Sequence, residues 1–265
     1  MTTFSTIGTF GDTIYSLSAI NLMGSGELYV KLNAIDDFCR NTLHWASAGP
    51  HAGRYTQRDY EIIEPLLKAQ KYLHLVKPWQ GQAIDHPLEN HYKCWIPRGW
   101  EGNQTECYAI LCGFNINDPV IKQKVLHEPW LTPLEPIKIP GKSLVINRTD
   151  RYLPGKPTKE WENWLTLLDS AVFVGSESEH AYFEETFKKK IDFFKTNDLL
   201  ELAKVIQGAD LFIGNQSVAL SIAIGLGIPF RCELRKDFFQ TTRSHSGGYG
   251  EAWFPRSNGG YFLNE

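Results

Sequence analysis

Three clusters in the chain combine residue types that do chemistry with a spacing that would hold them against a ligand. The first is Gly8-Thr9-Phe10-Gly11-Asp12-Thr13, where two glycines permit close backbone approach and a carboxylate follows at once. Asp12 has two open readings. It caps the helix that starts here, or it stands at the mouth of a cleft and accepts a proton from a reacting hydroxyl. Gly-x-x-Gly is a weak signal by itself, and the Gly-Lys-Ser/Thr ending of a P-loop is absent. The second cluster is Gly214-Asn215-Gln216-Ser217, a polar turn between the apolar run Asp210 to Ile213 and the apolar stretch Val218 to Leu226. A helix beginning there offers unpaired N–H groups and the positive end of its dipole, a place where phosphate is stabilised. An ordinary Asx or Ser cap on a buried βα unit accounts for the same residues, and both readings stay open. The third cluster is Asn147, Arg148, Asp150 and Arg151, directly after Leu144-Val145-Ile146.

The elements that would position these clusters follow from periodicity. Phe4 to Ile7 reads as a strand. The face Ile14, Leu17, Ser18, Ala19, Ile20 and Leu22 reads as a helix broken by Gly24-Ser25-Gly26, and Leu28 to Leu32 reads as a second strand, completing a βαβ unit. Tyr60 to Tyr72 is a helix candidate, with a strand at Leu73 to Val76. Beyond Pro78 the chain is rich in Trp, His, Pro, Gly and Asn, which predicts long loops with one strand at Ala109 to Cys112. Prolines 129, 133, 136 and 140 mark a linker. After it come a strand at 144–146, a Trp-bearing helix capped by Thr158, and a strand at Ala171 to Val174. A helix with Glu184 and Glu185 near its start and Lys188 to Lys190 near its end comes next, then a helix opened by Asp198 with Glu201 at capping-box spacing. Gly225, Gly227 and Pro229 end the helix over Val218 to Leu226. The Gly-rich tail from Thr241 to Tyr261 reads as an ordered loop, or as a lid.

The chain has 265 residues, 42% hydrophobic and 22% charged, with a formal net charge of -3, which describes a globular protein with no overall basic bias toward nucleic acid. With no apolar leader and no membrane-length apolar window, a cytoplasmic location is expected. Cys39, Cys94, Cys107, Cys112 and Cys232 are odd in number and scattered, which predicts free thiols. His86, His91, Cys94, Cys107 and Cys112 invite a zinc site, but no Cys-x-x-Cys pair anchors it and the spacing is irregular.

The start Phe10-Gly11-Asp12-Thr13-Ile14 with Leu17 and Ala19-Ile20 resembles the amino-terminal signature of the heptosyltransferase-like (family 9-like) glycosyltransferases. LLELAKVIQGADLFIGNQSVALSIAIGLGIP, from Leu199 to Pro229, resembles their donor-side segment, and Leu144 to Glu179 is similar to the start of their donor domain. Gln216, Val218 and Ser221 stand where that family has Asp, Gly and His. The resemblance implies an α/β, GT-B-like chain with two Rossmann-like domains facing each other across a cleft. The expected acceptor domain is 1–136, the linker 137–142 and the nucleotide-sugar donor domain 143–265.

On that basis the expected function is transfer of a sugar from a nucleoside-diphosphate sugar to an acceptor hydroxyl, inverting and metal-independent. Asp12 is the expected base, with Gly8, Thr9, Phe10, Gly11 and Thr13 on the acceptor side. The diphosphate is expected on Gly214, Asn215, Gln216 and Ser217 with Arg148, Arg151 and Lys156, and the nucleoside on Glu177, Glu179 or Glu201. No Asp-x-Asp element is present, so no metal and no further cofactor is expected. The expected partners are the nucleotide sugar and a hydroxyl-bearing acceptor, carbohydrate rather than nucleic acid. Two alternatives stay open: a non-catalytic nucleotide or sugar binding module of the same fold, and a transferase acting on nucleic acid bases.

Overall fold

The computed structural model describes residues 1–34, 55–95, 104–149, 159–234 and 259–263. The first half builds a parallel sheet from β1 (Thr3–Thr6), β2 (Gly26–Val30), β3 (Leu73–Pro78) and β4 (His86–Pro87), in the order β3-β2-β1-β4. Helices α1 (Phe10–Met23) and α2 (Gln57–Lys68) connect its strands, and α3 (Tyr92–Trp95), α4 (Gln104–Leu111) and α5 (Pro119–His127) follow. Gly24, at φ 90°, ends α1 in a conformation that costs a glycine little. Thr56 and Asp59 form a reciprocal capping box that starts α2.

The second half is a six-stranded parallel sheet of β5 (Leu144–Asn147), β6 (Ala171–Val174), β7 (Asp192–Phe194), β8 (Leu211–Asn215), β9 (Phe230–Leu234) and β10 (Gly259–Leu263). Its helices are α6 (Lys159–Trp164), α7 (Glu177–Phe187), α8 (Leu199–Gln207) and α9 (Val218–Leu226). The order β10-β9-β8-β5-β6-β7 grows outward in both directions from the β5/β8 pair. Every residue of β5 and β6 is buried, as expected of parallel strands covered on both faces.

One apolar cluster joins the halves. It contains Phe4, Ile14, Leu17 and Ile20 from the first and Phe212, Leu220, Ile222 and Ala223 from the second, because α1 packs directly on α9. That contact explains why Thr13 through Ile20 are all buried: α1 has no solvent face along these turns. The Pro-rich stretch expected to be a linker contains no helix or strand but is tied to both halves. Trp130 donates its Nε1–H to Ile14 O (2.8 Å), Trp130 and Leu131 give their backbone N–H to Gly225 O, and Ile137 N donates to Lys204 O. Gly225 is needed there, since a β-carbon would lie 2.8 Å from Leu131 Cγ. A smaller cluster around Trp161, Phe173, Phe183 and Ile213 fills the second sheet's other face.

Several expectations are corrected. Ala109 to Cys112 is not a strand: Ala109 to Leu111 close α4, with Cys107, Tyr108 and Ala109 buried. Four apolar residues in a row fit a buried helix turn as well as a strand, and packing against α1 decided it. Helix α7 starts at Glu177 under the cap Ser176, so Glu184 and Glu185 lie toward its end rather than its start, where Glu184 binds Lys190. Gly259 to Tyr261 belong to β10 and not to a loop or lid; the rest of the tail, from Thr241, lies outside the described residues, as do Thr158 and Cys39. Cys94, Cys107, Cys112 and Cys232 are free thiols, and among the described residues no group of three or more His, Cys, Asp or Glu side chains could hold a metal.

Candidate active site

Open parallel sheets bind ligands beyond the strands' carboxyl ends, where the strand order reverses. The first sheet reverses between β1 and β4, so Gly8 to Asp12 leave the sheet at that point, and the second reverses between β5 and β8. Asn147, Arg148 and Thr149 leave β5 there, while Gln216 and Ser217 leave β8.

At the first point the helix cap is Thr9 and not Asp12. Thr9 Oγ1 accepts the Asp12 N–H, which puts Asp12 at the third position of α1 with its carboxylate free for other contacts. Thr9 Oγ1 donates to Asp12 Oδ2 (2.9 Å), and Gln104 Nε2, from the start of α4, donates to Asp12 Oδ1 (2.6 Å). Beneath it, Tyr55 donates its hydroxyl to Thr13 Oγ1 (2.6 Å), which also pairs with Thr6 Oγ1 (2.9 Å). Burial pushes the Tyr55 and Tyr108 phenols well above their ordinary range, and the Asp12 charge adds to both. Gly8 and Phe10 are half-buried beside this carboxylate, and a β-carbon at Gly8 would sit 3.4 Å from Asp12 Oδ2.

At the second point the Asn215 amide clips two strand ends together, accepting from Thr149 N (2.9 Å) and donating to Thr149 O (3.0 Å). Gly214 lets the backbones meet, because a β-carbon would fall 2.2 Å from Asn147 O. Ser217 caps α9 by accepting from Leu220 N. Arg148, expected to meet the diphosphate, is only 1% exposed. Its Nε donates to Glu233 Oε2 at the carboxyl end of β9 (2.8 Å), and its guanidinium lies 5.6 Å from the Phe187 ring centre. Nη1 and Nη2 make no hydrogen bond. Asn147 Oδ1, Thr149 Oγ1 and Gln216 Oε1 are also buried without a partner. Buried polar atoms are nearly always paired, so such a concentration marks a place built for something else to bind.

Glu177, Glu179 and Glu201 line the carboxyl ends of β6 and β7 but have local partners. Glu177 pairs with Lys195 (2.7 Å), Glu179 takes the Ser176 N–H and hydroxyl, and Glu201 accepts from Asn197. Glu179 reaches the end of β5: a β-carbon at Gly175 would stand 2.8 Å from both its Oε2 and Asn147 Nδ2. Arg151 and Lys156 lie outside the described residues. Sequence reasoning missed Gln104, Tyr55 and Glu233. Glu233 stands in the alternating stretch Phe230-Arg231-Cys232-Glu233-Leu234, where an acid reads as a solvent-facing residue, and Gln104 had no signal either. A groove of about 500 Å³ between α2 and the edge of β3, lined by Tyr60, Glu64, Lys68 and His74, contains none of these residues.

No family model matches the chain, and no curated protein matches its sequence. Among solved structures, E. coli ADP-heptose lps heptosyltransferase II is similar over 99% of this chain and 90% of its own, with a TM-score of 0.50 at 14% identity. The chain shares the fold of that heptosyltransferase. E. coli heptosyltransferase WaaC with ADP overlaps 97% of this chain and 92% of its own (TM-score 0.47, 12% identity). The glycosyl transferase family 9 structure from Veillonella parvula DSM 2008 overlaps 98% and 85% (0.46, 10%). In this chain Ser221 is wholly buried, donates to Val218 O (2.7 Å) and faces α1 at Gly11.

Proposed function

We propose that the chain is a glycosyltransferase that binds a nucleoside-diphosphate sugar at the β5/β8 point and passes its sugar to a hydroxyl activated by Asp12. The observation that carries the reading is Arg148: Glu233 engages only Nε, which leaves the Nη1/Nη2 edge, the edge that grips a phosphate with two parallel hydrogen bonds, buried and unpaired. The amino-terminal turn of α9 begins at the same point, and the two together supply positive charge for a departing diphosphate. The proposed reaction therefore requires no metal ion.

The packing of α1 on α9 supports a single cleft shared by the two points. A β-carbon at Gly11 would stand 4.0 Å from Ser221 Oγ, and the four residues back to Ser217 span roughly 6 Å of helix. That separation suits a sugar ring between the Asp12 carboxylate and the phosphates. The acceptor oxygen attacks the anomeric carbon as the bond to the phosphate oxygen breaks, the acceptor proton passes to Asp12, and the configuration inverts. The nucleoside diphosphate leaves with its new charge met by Arg148 and α9. With a net charge of -3, a carbohydrate acceptor fits better than nucleic acid.

A panel of nucleotide sugars, assayed by calorimetry for binding and by donor hydrolysis, tests the proposal. Binding to a subset, with transfer once the acceptor is supplied, is the expected outcome. A folded protein that neither binds nor hydrolyses any of them refutes it, and affinity without turnover would make the chain a binding module.

A further inference from the structure

We infer that Gln104 is the positioning residue for the Asp12 carboxylate. The inference rests on the reading of Asp12 as the base, and it concerns a residue 92 positions away that enters from another helix.

An Asp at the third position of a helix turns freely about its Cβ–Cγ bond or folds back on the helix start. Here two points fix the plane of the carboxylate: Thr9 Oγ1 donates to Oδ2 and Gln104 Nε2 donates to Oδ1. Gln104 is 5% exposed and α4 packs along α1, so the amide is shielded from solvent, and it also hydrogen-bonds with the Tyr108 phenol. Both donors are neutral. They orient the group, and each carboxylate oxygen keeps a lone-pair direction for an acceptor hydroxyl.

Among the described residues, the phenols beside Asp12 do not compete for protons near neutrality. Tyr55 and Tyr108 are held as neutral phenols, and Asp59 acts on the Tyr55 phenol from α2. His91 packs against Tyr108 with ring centres 5.0 Å apart, one side chain further out. Tyr15 is the other titratable residue of α1, and α9 has none.

The test uses Gln104→Met, which keeps length and apolar bulk but not the donor, and Gln104→Glu, which is isosteric. Three measurements are made on each: melting temperature, the pH profile of kcat with donor KM, and the Asp12 carboxyl titration by ¹³C NMR. In Q104M the carboxylate loses a hydrogen bond that favours its charged form. The Asp12 titration and the acid limb of the profile should both move to higher pH, and kcat should fall on the order of tenfold with donor KM unchanged. In Q104E two carboxyl groups share a proton, and the shift should be larger. A purely structural role would lower the melting temperature and leave both titrations in place, and an unmoved Asp12 titration in either folded variant overturns the inference. The NMR readout needs no turnover. If the wild-type protein transfers no sugar, the functional proposal fails, while the titration still decides the role of Gln104.

Discussion

Arg148 and Glu233 form a fully buried ion pair, at 1% and 0% side-chain exposure, which turns the phosphate-site proposal into a quantitative experiment. Charge reversal at Arg148 would set two carboxylates together in the core, so loss of binding in that variant would say nothing about the ligand. Arg148→Met takes the Arg148 guanidinium away from the buried Glu233 carboxylate and should cost about 3–5 kcal/mol of stability. Arg148→Met combined with Glu233→Met removes both charges at similar volume and should return stability to within about 1–2 kcal/mol of wild type, since apolar replacements of buried pairs are often neutral. Nucleotide binding should not recover. Charge-assisted hydrogen bonds are worth about 1.5–3 kcal/mol, so the double variant should bind the cognate nucleoside diphosphate roughly tenfold to a hundredfold more weakly. Urea denaturation gives the first quantity and calorimetric titration the second. Wild-type affinity in a folded double variant would remove Arg148 from the site, and a cost below about 1 kcal/mol for the single variant would show that the buried-pair reasoning is wrong.

Asp12→Asn keeps the side-chain size while Thr9 remains the helix cap, so it should melt within a few degrees of wild type, bind donor normally and lose on the order of a hundredfold or more in transfer; near-wild-type transfer would end the general-base assignment. Gly214→Ala drives a β-carbon into Asn147 O between paired strands and should cost about 1–3 kcal/mol in urea denaturation together with nucleotide affinity, whereas unchanged melting would mean that the β5/β8 contact yields easily. Stability should also fall in alkali. Burial pushes the Cys112 thiol up to about 12 and holds Cys232, Tyr55 and Tyr72 above their ordinary values, so the unfolded chain gives up these protons first. Their contribution is complete below about pH 8 and declines as pH passes about 8.5 for the thiols and about 10 for the phenols. A urea midpoint unchanged between pH 7 and pH 10.5 would contradict these burials.

The sequence by itself determined the βα succession and the places where it turns. The strands at Thr3–Thr6, Leu144–Asn147, Ala171–Val174 and Leu211–Asn215, and the breaks at Gly24 and Gly227, are legible because an apolar run and the glycine that ends a helix are local facts of the chain. Local pattern also located both polar turns beyond strand ends. It could not say whether Ala109 to Cys112 was helix or strand, since four apolar residues satisfy either period and only the surface of α1 chose between them. Nor could it assign the partners of the charged groups. Asp12 became an oriented carboxylate through an amide 92 residues away, and Arg148 became a buried half-engaged guanidinium through a carboxylate 85 residues away. Periodicity encodes backbone shape over a few residues. Which distant strand end or helix start meets a given charge, and whether that charge is solvated, paired or left with an open edge, depends on the packing of the whole chain, so only the tertiary structure could decide it.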